Sequence, residues 1–153
     1  MQKKRVLFVC LGNICRSPMA EFIFRKAAER EGLADMFETA SAGTSAEEEG
    51  NPVYPPAKAE LARHGISCEG KRARKIKRED YGAFDAIVTM EERNSAAAKR
   101  FFGGDPDGKI RRLLDYTDRP RDIADPWWTG DFARTYSDIE EGTEALLKQL
   151  RDR

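Results

Sequence analysis

Cys10 and Arg16 bracket a short segment whose residue types suit one kind of chemistry: Cys10-Leu11-Gly12-Asn13-Ile14-Cys15-Arg16-Ser17-Pro18. Gly12 lets a backbone approach a ligand closely, and Asn13 tolerates a left-handed conformation. A tight turn that leads into a helix aims its N–H groups at an anion. Leu11, Gly12, Asn13, Ile14 and Cys15 would form that cradle. Cys10 heads it, where the N–H dipoles, the helix N-terminus and Arg16 all favour a thiolate. Arg16 supplies a planar fork for two phosphoryl oxygens, and the same donors would stabilise the equatorial oxygens of a transition state. Ser17 can donate to the sulfur when the thiol becomes a leaving group. The pattern points to phosphoryl transfer through cysteine. The alternative is a buried structural cysteine at a strand end with an arginine in a surface ion pair. A Walker loop is excluded, because its Gly-Lys-Ser/Thr is absent.

A strand must deliver this turn and a helix must receive it. Arg5 to Val9 is a compact Val/Leu/Phe/Val run, which reads as a buried strand. Ser17 reads as a helix N-cap and Pro18 as the first helical residue, with Met19, Phe22, Ile23 and Ala27 in helical spacing and Gly32 as a stop. Phe37 to Ala40, Asp85 to Met90 and Lys109 to Leu114 read as further strands. Helices are expected over Ala57 to His64 and Glu91 to Phe101. The tail is the clearest helix, with Phe132, Tyr136, Ile139, Thr143, Leu146, Leu147 and Leu150 on one stripe. Residues 41–56 and 118–130, punctuated by Gly and Pro, read as loops. Strands alternating with helices imply βαβ units and a parallel sheet, and such sheets bind ligands beyond the carboxyl ends of their strands. One α/β domain is expected over 1–153.

Composition narrows the partners. Lys+Arg and Asp+Glu are 27 each, so the 153 residues carry a formal net charge of zero. That balance gives no general reason for nucleic-acid or membrane-surface binding. Lys71, Arg72, Arg74, Lys75, Lys77 and Arg78 make nucleic acid tempting, but their acidic flanks favour a solvated surface. No apolar run nears the roughly 20 residues of a membrane span. The start, Met1-Gln2-Lys3-Lys4-Arg5 followed by apolar residues to Val9, is too short for a secretory signal and runs straight into Gly12-Asn13. Cys10, Cys15 and Cys68 cannot all pair within one chain, which fits a reducing compartment. A cytoplasmic monomer is expected. One histidine and no clustered Cys/His spacing argue against a zinc site, and no cofactor is expected.

The segment Val9 to Pro18 resembles the signature of the low-molecular-weight protein tyrosine phosphatases. The likeness continues in family order through Thr39-Ala40-Ser41-Ala42-Gly43-Thr44, His64-Gly65-Ile66, Ala73-Arg74, Phe84-Asp85 with Met90, and Asp125-Pro126. It implies a three-layer sandwich, a four-stranded parallel sheet flanked by helices on both faces. It also implies hydrolysis of protein phosphotyrosine through a phosphocysteine intermediate, without metal. Bacterial members often oppose tyrosine kinases of polysaccharide export, so such a kinase is an implied partner.

Expelling a phenolate, whose conjugate acid has a pKa of about 10, calls for a nearby proton donor. The family places an aspartic acid in an Asp-Pro pair followed by aromatics, which Asp125-Pro126-Trp127-Trp128 matches. Trp127 and Trp128 would wall the cleft, stack on a phenyl ring and shield the carboxyl from water. The alternative is a proline turn whose aspartate caps something; Asp118 and Asp122 are weaker candidates. The resemblance makes Cys15 a protective disulfide partner for Cys10 under oxidation, and Ser41 the residue that holds the turn asparagine. His64, at a helix end, reads as structural. Many members carry a second histidine where this chain has Lys71, which puts the support of Asn13 in question. Ala46-Glu47-Glu48-Glu49 replaces the aromatic or similar bulk that animal members carry there, so an acidic rim should favour basic or neutral phosphopeptides.

Three competing activities follow from the same loop. Arsenate reductases share the fold and thiol chemistry but need relay cysteines, and only Cys68 is left over. Protein-arginine phosphatases tend to have a small polar residue at the position of Ile14. A non-enzymatic phosphate-binding module would lack the nucleophile, the arginine or the acid, and this chain has Cys10, Arg16 and Asp125.

Overall fold

The computed structural model describes residues 3–152. Met1, Gln2 and Arg153, part of the domain expected over 1–153, lie outside the described residues. Four parallel strands, β1 (Lys4–Cys10), β2 (Phe37–Gly43), β3 (Ala86–Thr89) and β4 (Ile110–Arg112), form one sheet in the order β2-β1-β3-β4. β1 is flanked by β2 on one side and β3 on the other, so the chain order reverses at its carboxyl end. Open α/β sheets leave a crevice at that point.

Alternation along β1 builds both layers. Val6, Phe8 and Cys10 join the larger apolar cluster, packed against helices α1 (Arg16–Arg30), α2 (Pro55–Arg63) and α6 (Phe132–Arg151). Leu7 and Val9 point the other way, toward Phe84 and Ala98 near α3 (Asp80–Ala83) and α4 (Glu92–Phe102). A strand covered on both faces reads as a continuous apolar run, which is why β1 was visible in the sequence. The expected three-layer sandwich is the observed architecture.

Several boundaries moved for identifiable reasons. β2 continues past Ala40 to Gly43, pairing Cys10 with Gly43 at the sheet's edge. β4 ends at Arg112, where Asp115 accepts from the Arg112 backbone and guanidinium and closes a 3₁₀ turn over Leu113–Tyr116. Helix α1 starts at Arg16, one residue before the expected cap. Ser17 does not cap it, because its hydroxyl is engaged by Cys10 and Asn13. The loop over 118–130 contains a short helix, α5 (Pro126–Thr129), capped by Asp125 through the Trp127 N–H at 3.0 Å. The basic run is not a uniform solvated face. Arg74 pairs with buried Asp80, Lys75 sits over Phe101, and Lys71 is turned inward. Among the described residues, no helix is long and apolar enough to cross a membrane.

Candidate active site

The turn after β1 is held from outside. Thr44 N donates to Cys10 O at 2.9 Å, Ser45 N to Leu11 O at 3.0 Å, and Tyr54 N to Ile14 O at 2.9 Å. With those carbonyls taken, the N–H groups of Gly12, Ile14 and Cys15 donate to no backbone carbonyl among the described residues and stay available to an anion. Asn13, at φ 59°, is the only non-glycine described residue in the left-handed region. Its side chain fixes that shape: Nδ2 donates to Ser17 Oγ at 2.8 Å, and Oδ1 accepts from Arg74 N at 3.1 Å. Cys10 Sγ receives Asn13 N at 3.3 Å and lies 2.9 Å from Ser17 Oγ. Cys10 Sγ therefore has the Asn13 N–H and the Ser17 hydroxyl within hydrogen-bond reach.

Gly43 makes the close packing possible. A Cβ there would fall 2.7 Å from Leu11 O and 3.2 Å from Gly12 C, both backbone atoms. Its own N–H and C=O bond Arg74 O and Ile76 N, so the 74–76 segment braces β2 and the turn together.

Arg16 is buried, and its guanidinium is positioned by groups far away in sequence. Nη1 donates to Ile123 O at 2.7 Å; Nη2 lies 3.3 Å from Glu91 Oε2 and 3.4 Å from Asp125 Oδ2. Ile123 N donates to Met90 O, which fastens the 118–125 segment to the end of β3 and brings Asp125 over the turn. The weaker acid candidates are elsewhere. Asp122 accepts from Glu92 N and Arg112 Nη1, and Asp118 lines a separate groove beside Glu141.

A cleft of about 220 Å³ opens above Cys10. Leu11, Gly12, Ile14, Cys15 and Arg16 form its floor, and Asp125, Trp127 and Trp128 line it from the 118–130 loop. Trp127 is braced by Tyr54, ring centroids 4.7 Å apart, while Trp128 is largely exposed. Asn13 and Ser17 sit behind the floor and shape it. Burial pushes the Cys15 thiol up to about 12, with nearby Cys10 and Asp125 adding to the effect. Cys68 is buried beside a groove along α2, away from the cleft, and burial raises its thiol too.

Ser41 requires a correction. Its hydroxyl donates to Glu21 Oε1 at 2.7 Å, and its carbonyl accepts from Lys71 Nζ at 2.9 Å; no hydrogen bond joins it to Asn13 among the described residues. Asn13 is held by Ser17 and the Arg74 backbone instead, so the replacement of a histidine by Lys71 does not remove its support. Desolvation lowers the Lys71 ammonium below the usual lysine range. His64 stacks on Tyr136 at 3.6 Å and meets Glu60 Oε2 at 3.2 Å, a packing role.

Glu91, Tyr54 and Ile123 were missed. Glu91 carried one signal, since Glu91 and Asn94 form a capping box at the start of α4. Nothing local tied it to Arg16. Among the described residues, no group of three or more His, Cys, Asp and Glu is placed to hold a metal.

Residues 5–153 match the family model for low molecular weight phosphotyrosine protein phosphatase. Over 148 residues the chain is 40% identical to the low molecular weight protein-tyrosine-phosphatase YfkJ of Bacillus subtilis, covering 95% of each. The crystal structure of YfkJ superposes with a TM-score of 0.96 at 39% identity, over 99% of this chain and 97% of that one. The YwlE arginine phosphatase, solved as a mutant with a phosphorylated active-site serine, gives a TM-score of 0.85 at 30% identity, over 96% and 95% of the two chains.

Proposed function

Because the chain belongs to the low-molecular-weight protein tyrosine phosphatase family, we propose that it hydrolyses protein phosphotyrosine in two transfers at Cys10. The observation that carries this reading is the convergence of Cys10, Arg16 and Asp125 on one cleft.

In the first transfer the Cys10 thiolate attacks phosphorus while the turn amides and Arg16 hold the equatorial oxygens. The P–O bond to tyrosine breaks, and the Asp125 carboxylic acid gives its proton to the departing phenolate oxygen. The phenyl ring lies along the indoles. In the second transfer the Asp125 carboxylate takes a proton from water, whose oxygen attacks phosphorus. The P–S bond breaks, inorganic phosphate leaves, and the thiolate returns to the donors Asn13 N–H and Ser17 Oγ–H. A cytoplasmic setting agrees with three unpaired cysteines. The substrates then come from a protein-tyrosine kinase.

A second reading, phosphoarginine hydrolysis, is favoured by the likeness to the YwlE arginine phosphatase. Ile14 on the cleft floor argues for the flat phenyl ring over a polar guanidine. Cys68, buried away from the cleft, leaves an arsenate reductase without its relay.

The test is turnover of para-nitrophenyl phosphate, a phosphotyrosine peptide and a phosphoarginine peptide, in chelator, by wild type, Cys10→Ser and Asp125→Asn. Chelator-resistant turnover of the phosphotyrosine peptide, lost in Cys10→Ser, is expected. Turnover of phosphoarginine alone would replace the first reading with the second, and phosphate binding without turnover would leave only a binding module.

A further inference from the structure

The loop after β2 carries three consecutive glutamates, and their surroundings differ. Glu49 Oε2 accepts from Lys75 N at 3.2 Å. Glu48 Oε2 accepts from Asn51 Nδ2 at 2.6 Å, and its Cγ lies against Gly12, 3.4 Å from where a Cβ would stand. Glu47 bonds only through its backbone N–H, to Ser45 Oγ at 3.1 Å. Its exposed side chain has no partner among the described residues and lines the catalytic cleft.

Arg16, the one cation lining that cleft among the described residues, is buried and already shared by Glu91 and Asp125. It cannot neutralise Glu47. From another element, the Trp128 indole reaches the same cleft with 77% of its surface open. A carboxylate without a cation and an indole without a partner, lining one cleft, suit a guanidinium or ammonium group. The carboxylate attracts it and the ring face accepts it.

Resting on the phosphatase reading above, we propose that Glu47 is a specificity-determining residue that selects phosphotyrosine segments carrying arginine or lysine beside the phosphotyrosine. The phosphate goes to the turn, the phenyl ring to the cleft, and the neighbouring cationic side chain to Glu47 and Trp128. Glu48, tied to Asn51, adds field but no direct contact. An acidic neighbour would meet two carboxylates and be disfavoured. An exposed pair of this kind is worth about 2- to 5-fold and weakens with salt.

The experiment compares kcat/KM on two phosphotyrosine peptides, identical except for arginines or glutamates flanking the phosphotyrosine, for wild type, Glu47→Gln and Glu47→Lys. Each enzyme's rate on para-nitrophenyl phosphate normalises the data. The wild type is expected to prefer the arginine peptide by about 2- to 5-fold, Glu47→Gln to cut the ratio toward one, Glu47→Lys to invert it, and about 0.5 M salt to flatten it. A wild-type ratio of one, or a preference unchanged in Glu47→Gln, overturns the role of Glu47 while leaving the phosphatase reading intact. Failure of the wild type on para-nitrophenyl phosphate overturns the phosphatase reading, and this proposal with it.

Discussion

Arg16 Nη2 lies 3.4 Å from Asp125 Oδ2, so the proposed phosphate clamp and the proposed general acid share a contact although they lie far apart in the sequence. The same nitrogen meets Glu91 at 3.3 Å, and Nη1 is committed to Ile123 O. Only a planar fork can satisfy these partners and still present N–H groups to a phosphate. Arg16→Lys keeps the charge but loses the fork. Its kcat is expected to fall by about 10²–10³, and its thermal unfolding to move down as Ile123 O and Glu91 lose a donor. A rate within about 3-fold of wild type would mean that charge alone suffices.

Asp125→Asn separates the proton from the geometry. The Asn Oδ1 can still accept from Trp127 N, so the cap of α5 and the placement of the tryptophans survive. What is lost is the proton. Turnover of a phosphotyrosine peptide should drop by about 10²–10⁴. The loss should shrink steadily across aryl phosphates as the leaving phenol becomes more acidic. A loss of equal size for every leaving group would assign Asp125 to positioning instead.

How far the sequence could be read depended on distance along the chain. The turn and the strand and helix around it lie within residues 4–30, and their patterns are local: an apolar run, a Gly-Asn turn, a helical stripe. The anchors of Arg16 are not local. Glu91 is 75 residues away and Ile123 is 107. Nothing in either segment announces a guanidinium. Ser41 was misassigned because a serine near a strand end can face either layer, and it faces Glu21 on α1. Asp80–Ala83 escaped notice because four residues inside a charge run carry no helical period.

Gly43 should be needed for activity more than for stability. Its position is steric, since any Cβ meets Leu11 O, Gly12 C and Asn13 N, none of which can rotate away. Gly43→Ala must therefore push the turn off β2, at a cost of about 1–3 kcal/mol in overpacking. Tilting the amides should also weaken inhibition by inorganic phosphate, and kcat/KM should fall by more than 10-fold. Unchanged phosphate inhibition would show that the turn absorbs the methyl group without moving its donors.

Mild peroxide should oxidise Cys10 to the sulfenic acid, after which the Cys15 sulfur attacks, water leaves and a Cys10–Cys15 disulfide forms. Both thiols line one cleft floor. The high Cys15 value makes the closing step slow near neutral pH and faster as pH rises. Peptide mass spectrometry after a peroxide pulse at pH 7 and pH 9 should find more of the disulfide, and less overoxidised Cys10, at the higher pH. Complete absence of the linked peptide at both would remove Cys15 from any protective role.

Cys15 should also limit the fold at alkaline pH. Its thiol titrates near the ordinary value of 9.0 in the unfolded chain and at about 12 in the folded one, chiefly because burial opposes the thiolate. A folded value above the unfolded one means that the native state holds the proton longer. The stabilisation is fully present below pH 9 and is lost as pH rises from 9 toward 12. Cys15→Ala removes the titration and leaves a small void. It should be less stable than wild type at pH 8, and the gap should narrow between pH 9 and pH 11. Urea unfolding of both proteins at pH 8, 9.5 and 11 measures this directly. Parallel declines in the two would mean that other groups set the alkaline slope and that the buried thiol contributes nothing to it.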